Sequence, residues 1–168
     1  QTQSDLIRIN LLKKYGGIWI DATLFCLRPL RMWLPEKMKS NLFLFKYHCQ
    51  GCYRSRIAPR FIASCKNCYL IKKVCVNYNN YWSKKKRSHY FNFHEIFTQT
   101  IYNDLIARQI YSKIPYIPGW NHRSRYYGIN EISFYDIDKI PQKNIIKNFN
   151  IPVLKFNQRW EKMNKSKK

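Results

Sequence analysis

Acidic residues are scarce in this chain. Nine Asp and Glu stand against 31 Lys and Arg in 168 residues, a formal net charge of +22. After Glu36 no carboxylate occurs until Glu95. Hydrolysis by two close carboxylates would have to draw on Asp5 and Asp21, which leaves little room for that chemistry. No run of 18 apolar residues exists, so no membrane-crossing helix is expected. The chain opens on Gln1, with neither an initiating Met nor a charged-then-apolar leader, and the expectation is that it starts inside a domain. There are no internal repeats, and no helix-turn-helix or RNA-binding signature accompanies the positive charge.

What is present fits one globular domain. The length and an apolar content of 45% suffice for a single core and are too small to expect two. The charge has two sharp readings, a surface for nucleic acid or for an anionic membrane. It also has a plain one, since Lys, Asn, Ile and Tyr are all abundant and the lysines spread from Lys13 to Lys168. The clusters Lys84-Lys85-Lys86-Arg87 and Lys162, Lys165, Lys167, Lys168 read first as solvated loop and tail. Anionic headgroups come second, and nucleic acid is supported by charge alone.

Six cysteines without a leader suggest reduced thiols in a cytosolic compartment. Four have metal-like spacing, Cys49-x-x-Cys52 and, twelve residues on, Cys65-x-x-Cys68. Paired knuckles of this kind hold structural zinc, but the second pair is spaced more tightly than the commonest ribbon. Incidental or buried thiols are the preferred reading.

Periodicity gives a coarse map. Ala22 to Leu27 reads as a strand continuing past Asp21 and closed by Pro29. Leu42 to Tyr47 and Arg60 to Ala63 read as strands, with Cys49 to Pro59 as a loop between them. A helix is expected from Asn67 to Trp82 and another from about Tyr90 to Tyr111, where Phe93, Phe97, Ile101 and Leu105 recur at four-residue steps. These aromatics read as core. His94 and Glu95 fall inside that second helix, where a lone His is more often structural than a base. Beyond Pro115 come loops, with weak strands at 132–135 and 153–156. Trp120, His122 and Arg123 fall in a turn-rich loop and could touch an acceptor sugar or a diphosphate, with plain surface the favoured reading.

The most informative stretch runs from Ser4 to Thr23. Asp5, Arg8 and Leu12 are spaced to share one helix face, with an acid and a base side by side. Tyr15-Gly16-Gly17 stops that helix, because glycine reaches the left-handed conformation that closes a C-terminus and lets the backbone lie close to a neighbour or ligand. Ile18-Trp19-Ile20 enters a strand. Asp21 arrives at its end, where open α/β sheets bind ligands.

The ordered pattern S-D-x-x-R, a short apolar helix, Y-G-G-I-W-I and D-A-T resembles the capsular polysaccharide synthesis proteins. More distantly, it resembles glycosyltransferases whose sugar-binding region carries a DXD motif. Looser likeness continues through Arg60 to Ser64, Tyr81-Trp82, Tyr90 to Phe97 and Ile114-Pro115. The resemblance implies an α/β, GT-A-like (Rossmann-like) nucleotide-diphospho-sugar transferase fold, incomplete at its N-terminus. Residues 1–160 would be the C-terminal portion of the catalytic domain and 161–168 a basic tail. It further implies a hexosyltransferase-like enzyme moving sugar from a nucleotide-sugar donor to a capsular or cell-surface glycan, with retention. A cytoplasmic place, with peripheral contact at the inner face of the membrane, is expected from the thiols and the charge instead.

Asp5 and Arg8 would hold the donor sugar, together with Tyr15, Gly16 and Gly17. Asp21 would be the catalytic residue that meets the sugar nucleotide and a divalent cation, Mn or Mg, with Thr23 reaching the cation through water. Thr23 stands where the DXD pattern has its second Asp, and His89 where an acid would precede Tyr-Phe. His89 and His94 are secondary candidates for sugar or phosphate contact. By the same resemblance, the nucleotide base needs a preceding βα half, so this chain by itself is expected not to catalyse transfer.

Overall fold

A computed structural model describes residues 2–22, 24–26, 28–46, 57–84, 91–115 and 153–155. In chain order the elements are α1 (Thr2–Tyr15), β1 (Gly17–Ile20), β2 (Leu24–Cys26), a 3-10 turn (Leu30–Met32), α2 (Leu34–Lys37), β3 (Leu42–Lys46), β4 (Ile57–Ser64), α3 (Tyr69–Lys84), α4 (Asn92–Asn103), α5 (Leu105–Lys113) and β5 (Val153–Lys155). They divide into two units, Gln1–Ile20 with Pro35–Asn121, and Asp21–Leu34 with His122–Lys168.

In the first unit a three-stranded sheet runs β1-β4-β3, with both pairings antiparallel. Strand β4 is central because both its faces are apolar: Ile57, Phe61 and Ile62 are fully buried. Its pairing with β3 jumps, since Leu44 faces Ile62 while the next residue, Phe45, faces Ala58. Residues 59–61 therefore bulge out of that ladder. Pro59 has no N–H to offer a ladder, so a bulge is where a strand tolerates it. The rings of Phe43, Phe45 and Phe61 pack edge to face at 5.2 to 6.0 Å, closing the core around the bulge.

The helices add a second apolar layer. Ile9 and Leu12 of α1, Leu70, Ile71, Val74 and Tyr78 of α3, and Phe93 and Phe97 of α4 are buried. Tyr78 meets Phe93 edge-on at 5.1 Å, and its burial raises the phenol pKa to about 12. Lys46, at the end of β3, donates to the carbonyls of Tyr111 and Ile114 at 3.0 and 2.6 Å, capping the C-terminus of α5.

Three sequence expectations shift. The helix expected over about 90–111 breaks at Asp104, which is extended and accepts a hydrogen bond from the backbone N–H of Ala107, so it caps α5 instead of continuing α4. Asn67 takes a positive φ of 66° and stands outside α3, which begins at Tyr69. Strand β4 begins at Ile57, inside the stretch assigned to a loop.

In the second unit β2 pairs antiparallel with β5, Leu24 with Lys155 and Cys26 with Val153. The strand expected to continue from Asp21 is interrupted by a turn, where the Leu24 N–H donates to the Asp21 carbonyl at 2.9 Å. The strand foreseen at 153–156 is present as β5. Among the described residues no helix is long and apolar enough to cross a membrane.

Candidate active site

The site is built on the inner face of α1. Asp5 and Arg8, one helical turn apart, form an ion pair at 3.2 Å, and both are nearly buried, at 5% and 6% exposure. The shared face read from their spacing is thus present. A guanidinium at that depth needs more than one partner, because desolvating a charge is costly unless it is paired and hydrogen-bonded. Arg8 finds a second in the backbone, donating through Nη1 to the Pro59 carbonyl at 3.0 Å. The bulge in β4 places that carbonyl within reach. Above and beside it lie ring faces, with the guanidinium carbon 5.0 Å from the Trp19 centroid and 5.4 Å from that of Phe93. Strands β1 and β4 and helix α4 therefore fix the charge that α1 supplies.

His94 follows Phe93 in the first turn of α4. It is 9% exposed, and its Nδ1 has no hydrogen-bond partner among the described residues. Burial first, then the positive charges of Arg60 and Arg8, lower its pKa to about 4, so the ring is neutral at neutral pH. A neutral imidazole offers one donor and one acceptor, which suits a hydroxyl better than a fixed charge.

Gly16 ends α1 with φ +69° while its N–H donates to the Leu12 carbonyl at 2.9 Å. A Cβ there would strike the Lys66 backbone nitrogen and come within 2.9 Å of the Ser64 oxygen and the Cys65 carbonyl carbon. The close approach is therefore to the end of β4. Gly17, at φ +92°, has open space around it. Tyr15 is exposed, with the Lys14 ammonium 4.9 Å from its ring centroid.

Asp21 follows β1 directly, is half-buried, and belongs to the second unit. Thr23, His89, Cys49, Cys52, Trp120, His122 and Arg123 lie outside the described residues. Of the second cysteine pair, Cys65 is exposed with its sulfur 3.7 Å from Asn41 Oδ1, and Cys68 is buried. Among the described residues no group of three or more His, Cys, Asp or Glu is gathered so as to hold a metal.

Sequence reasoning missed the partners that fix Arg8. Trp19 was read only as a strand residue, Phe93 only as core and Pro59 only as the end of a loop. A proline opening the Arg60 to Ser64 strand was the available signal of a bulge, but nothing in linear spacing says which charge uses its carbonyl.

A family model described as capsular polysaccharide synthesis protein matches residues 1–167. None of the curated proteins compared matches the chain. Among solved structures, the chain is similar to one titled PaToxG Glycosyltransferase, at 20% identity and a TM-score of 0.44. The likeness covers 67% of this chain and 40% of that one.

Proposed function

Because the chain belongs to the capsular polysaccharide synthesis protein family, we propose that it carries the sugar-holding part of a glycosyltransferase, one that moves a hexose from a nucleotide-sugar donor to a growing capsular or cell-surface polysaccharide. The observation that carries this reading is the Asp5–Arg8 pair, buried on one helix face and fixed by Pro59, Trp19 and Phe93. Sugar transfer needs the hexose held in one orientation while the leaving diphosphate departs. A charge pair immobilised by backbone and ring contacts provides that hold with little reorganisation. His94, neutral and with a buried Nδ1 that has no partner among the described residues, would offer that nitrogen to a sugar hydroxyl.

Asp21 would meet the diphosphate end of the donor. Mg²⁺ is commonly bound through one or two carboxylates with substrate phosphates completing its shell, and Asp21 fits that pattern better than an all-protein cage, since among the described residues no group of three or more His, Cys, Asp or Glu is gathered. A cation held there, Mg or Mn, supplies neutralisation of the leaving charge. Transfer with retention, as the resemblance implies, needs no dedicated protein base if the leaving phosphate takes the acceptor's proton, which suits a chain with nine carboxylates. Transfer would occur at the cytoplasmic face, where a net charge of +22 favours contact with anionic headgroups.

Thermal shift with uridine and guanosine diphosphate sugars plus manganese tests the reading. A donor-dependent rise in melting temperature, removed by chelator and by Asp21→Asn, supports it. No rise with any donor contradicts it.

A further inference from the structure

Away from the Asp5–Arg8 pair, α3 and α4 enclose a groove of about 330 Å³, at the small end of ligand-site volumes. Four carboxamides line it, Asn77 and Asn80 from α3 and Gln99 and Asn103 from α4. The two on each helix are three or four residues apart and so share a face. Asparagine inside a helix works against helix propensity, and the exposed Asn80 recovers nothing by burial.

The floor is fixed. Asn77 donates through Nδ2 to Thr100 Oγ at 2.8 Å, and that buried hydroxyl donates to the Ile96 carbonyl at 2.7 Å. The side-chain amides of Asn80, Gln99 and Asn103 make no hydrogen bond among the described residues. A carboxamide carries both a donor and an acceptor, the pair of functions a sugar hydroxyl needs. Tyr81 contributes a ring held in place by Asn92, whose Nδ2 donates to the Tyr81 hydroxyl at 3.1 Å.

The charge of the groove is cancelled from within. Lys73 pairs with Asp104 at 3.2 Å, and Asp104 also accepts from the Tyr69 hydroxyl at 2.9 Å. On a chain of net charge +22, a recess lined by amides and a Lys73–Asp104 pair adds no net charge of its own to draw phosphates or acidic sugars. It suits a ligand rich in paired hydroxyls with one apolar face.

We propose that the groove between α3 and α4 binds a neutral glycan segment, with Asn80, Gln99 and Asn103 bonding its hydroxyls and the Tyr81 ring supporting a sugar face. The inference rests on the transferase reading for the identity of its ligand as acceptor. It would hold the polymer between α3 and α4 while Asp5 and Arg8 hold the donor.

The test is binding of the full 168-residue chain, without donor or metal, to an array of neutral and acidic oligosaccharides. The same array is probed with an Asn80→Ala, Gln99→Ala variant. Both positions are exposed, and circular dichroism confirms the fold. Binding confined to neutral glycans and weakened at least tenfold by the double substitution is expected. Absence of neutral-glycan binding, preference for acidic glycans, or binding that survives the substitutions overturns the proposal. Because the array contains no nucleotide sugar, a failed donor site leaves this result standing, and a failed groove leaves donor titrations standing.

Discussion

Arg8 and Pro59, fifty-one residues apart, are joined by a 3.0 Å hydrogen bond from guanidinium to backbone carbonyl. That bond ties the helix carrying the acid and base to the bulge of the central strand. It makes the geometry of the pair a property of the sheet as well as of α1.

Breaking the pair should therefore damage stability as well as binding. Arg8→Met leaves the Asp5 carboxylate buried without its cation and is expected to cost about 3–5 kcal/mol in urea unfolding. Adding Asp5→Leu should return part of that loss, since the remaining site is then apolar. Strictly additive losses in the double-mutant cycle would show that the two side chains do not act as one unit.

The adjacent glycines are predicted to behave differently. Ala at position 17 pays only for a left-handed backbone, about 1–2 kcal/mol, because its Cβ meets open space. Gly16→Ala adds collision with the backbone of residues 64–66 and should cost clearly more, roughly 3 kcal/mol or above. Denaturant midpoints of the two variants decide it, and equal losses would contradict the packing of Gly16 on β4.

His94 should impose an acid limit on stability. Its folded pKa of about 4 lies below the ordinary value of 6.5, so between those values the unfolded chain binds a proton that the folded chain refuses. Stability from this residue is complete above about pH 6.5 and is lost as pH falls toward 4, by up to about 3 kcal/mol. The slope of unfolding free energy over that window should flatten in His94→Gln. An unchanged slope would mean that the imidazole is not held neutral by burial and by Arg60 and Arg8.

Local chemistry was legible in the sequence where it repeats at short range. The spacing of Asp5, Arg8 and Leu12 gave the face of α1, and the Gly16-Gly17 break gave its end. The helix break at Asp104 was missed because four-residue apolar steps run straight through it. What encloses Arg8 was not legible. A ring eleven residues away, another eighty-five away and a bulge carbonyl come together only through sheet pairing, which leaves no trace in spacing.

The most direct test of the account is saturation-transfer NMR on this chain with nucleotide-diphosphate sugars and Mg²⁺, comparing the parental protein with Arg8→Lys and Asp21→Asn. A lysine keeps the charge but has no flat guanidinium to lie against the Trp19 and Phe93 rings. The predicted result is saturation concentrated on hexose protons in the parental chain. Arg8→Lys should lose it at least tenfold, and Asp21→Asn should lose its dependence on Mg²⁺. Hexose saturation that is equal in all three proteins would contradict the assignment of a donor-sugar site to the Asp5–Arg8 pair.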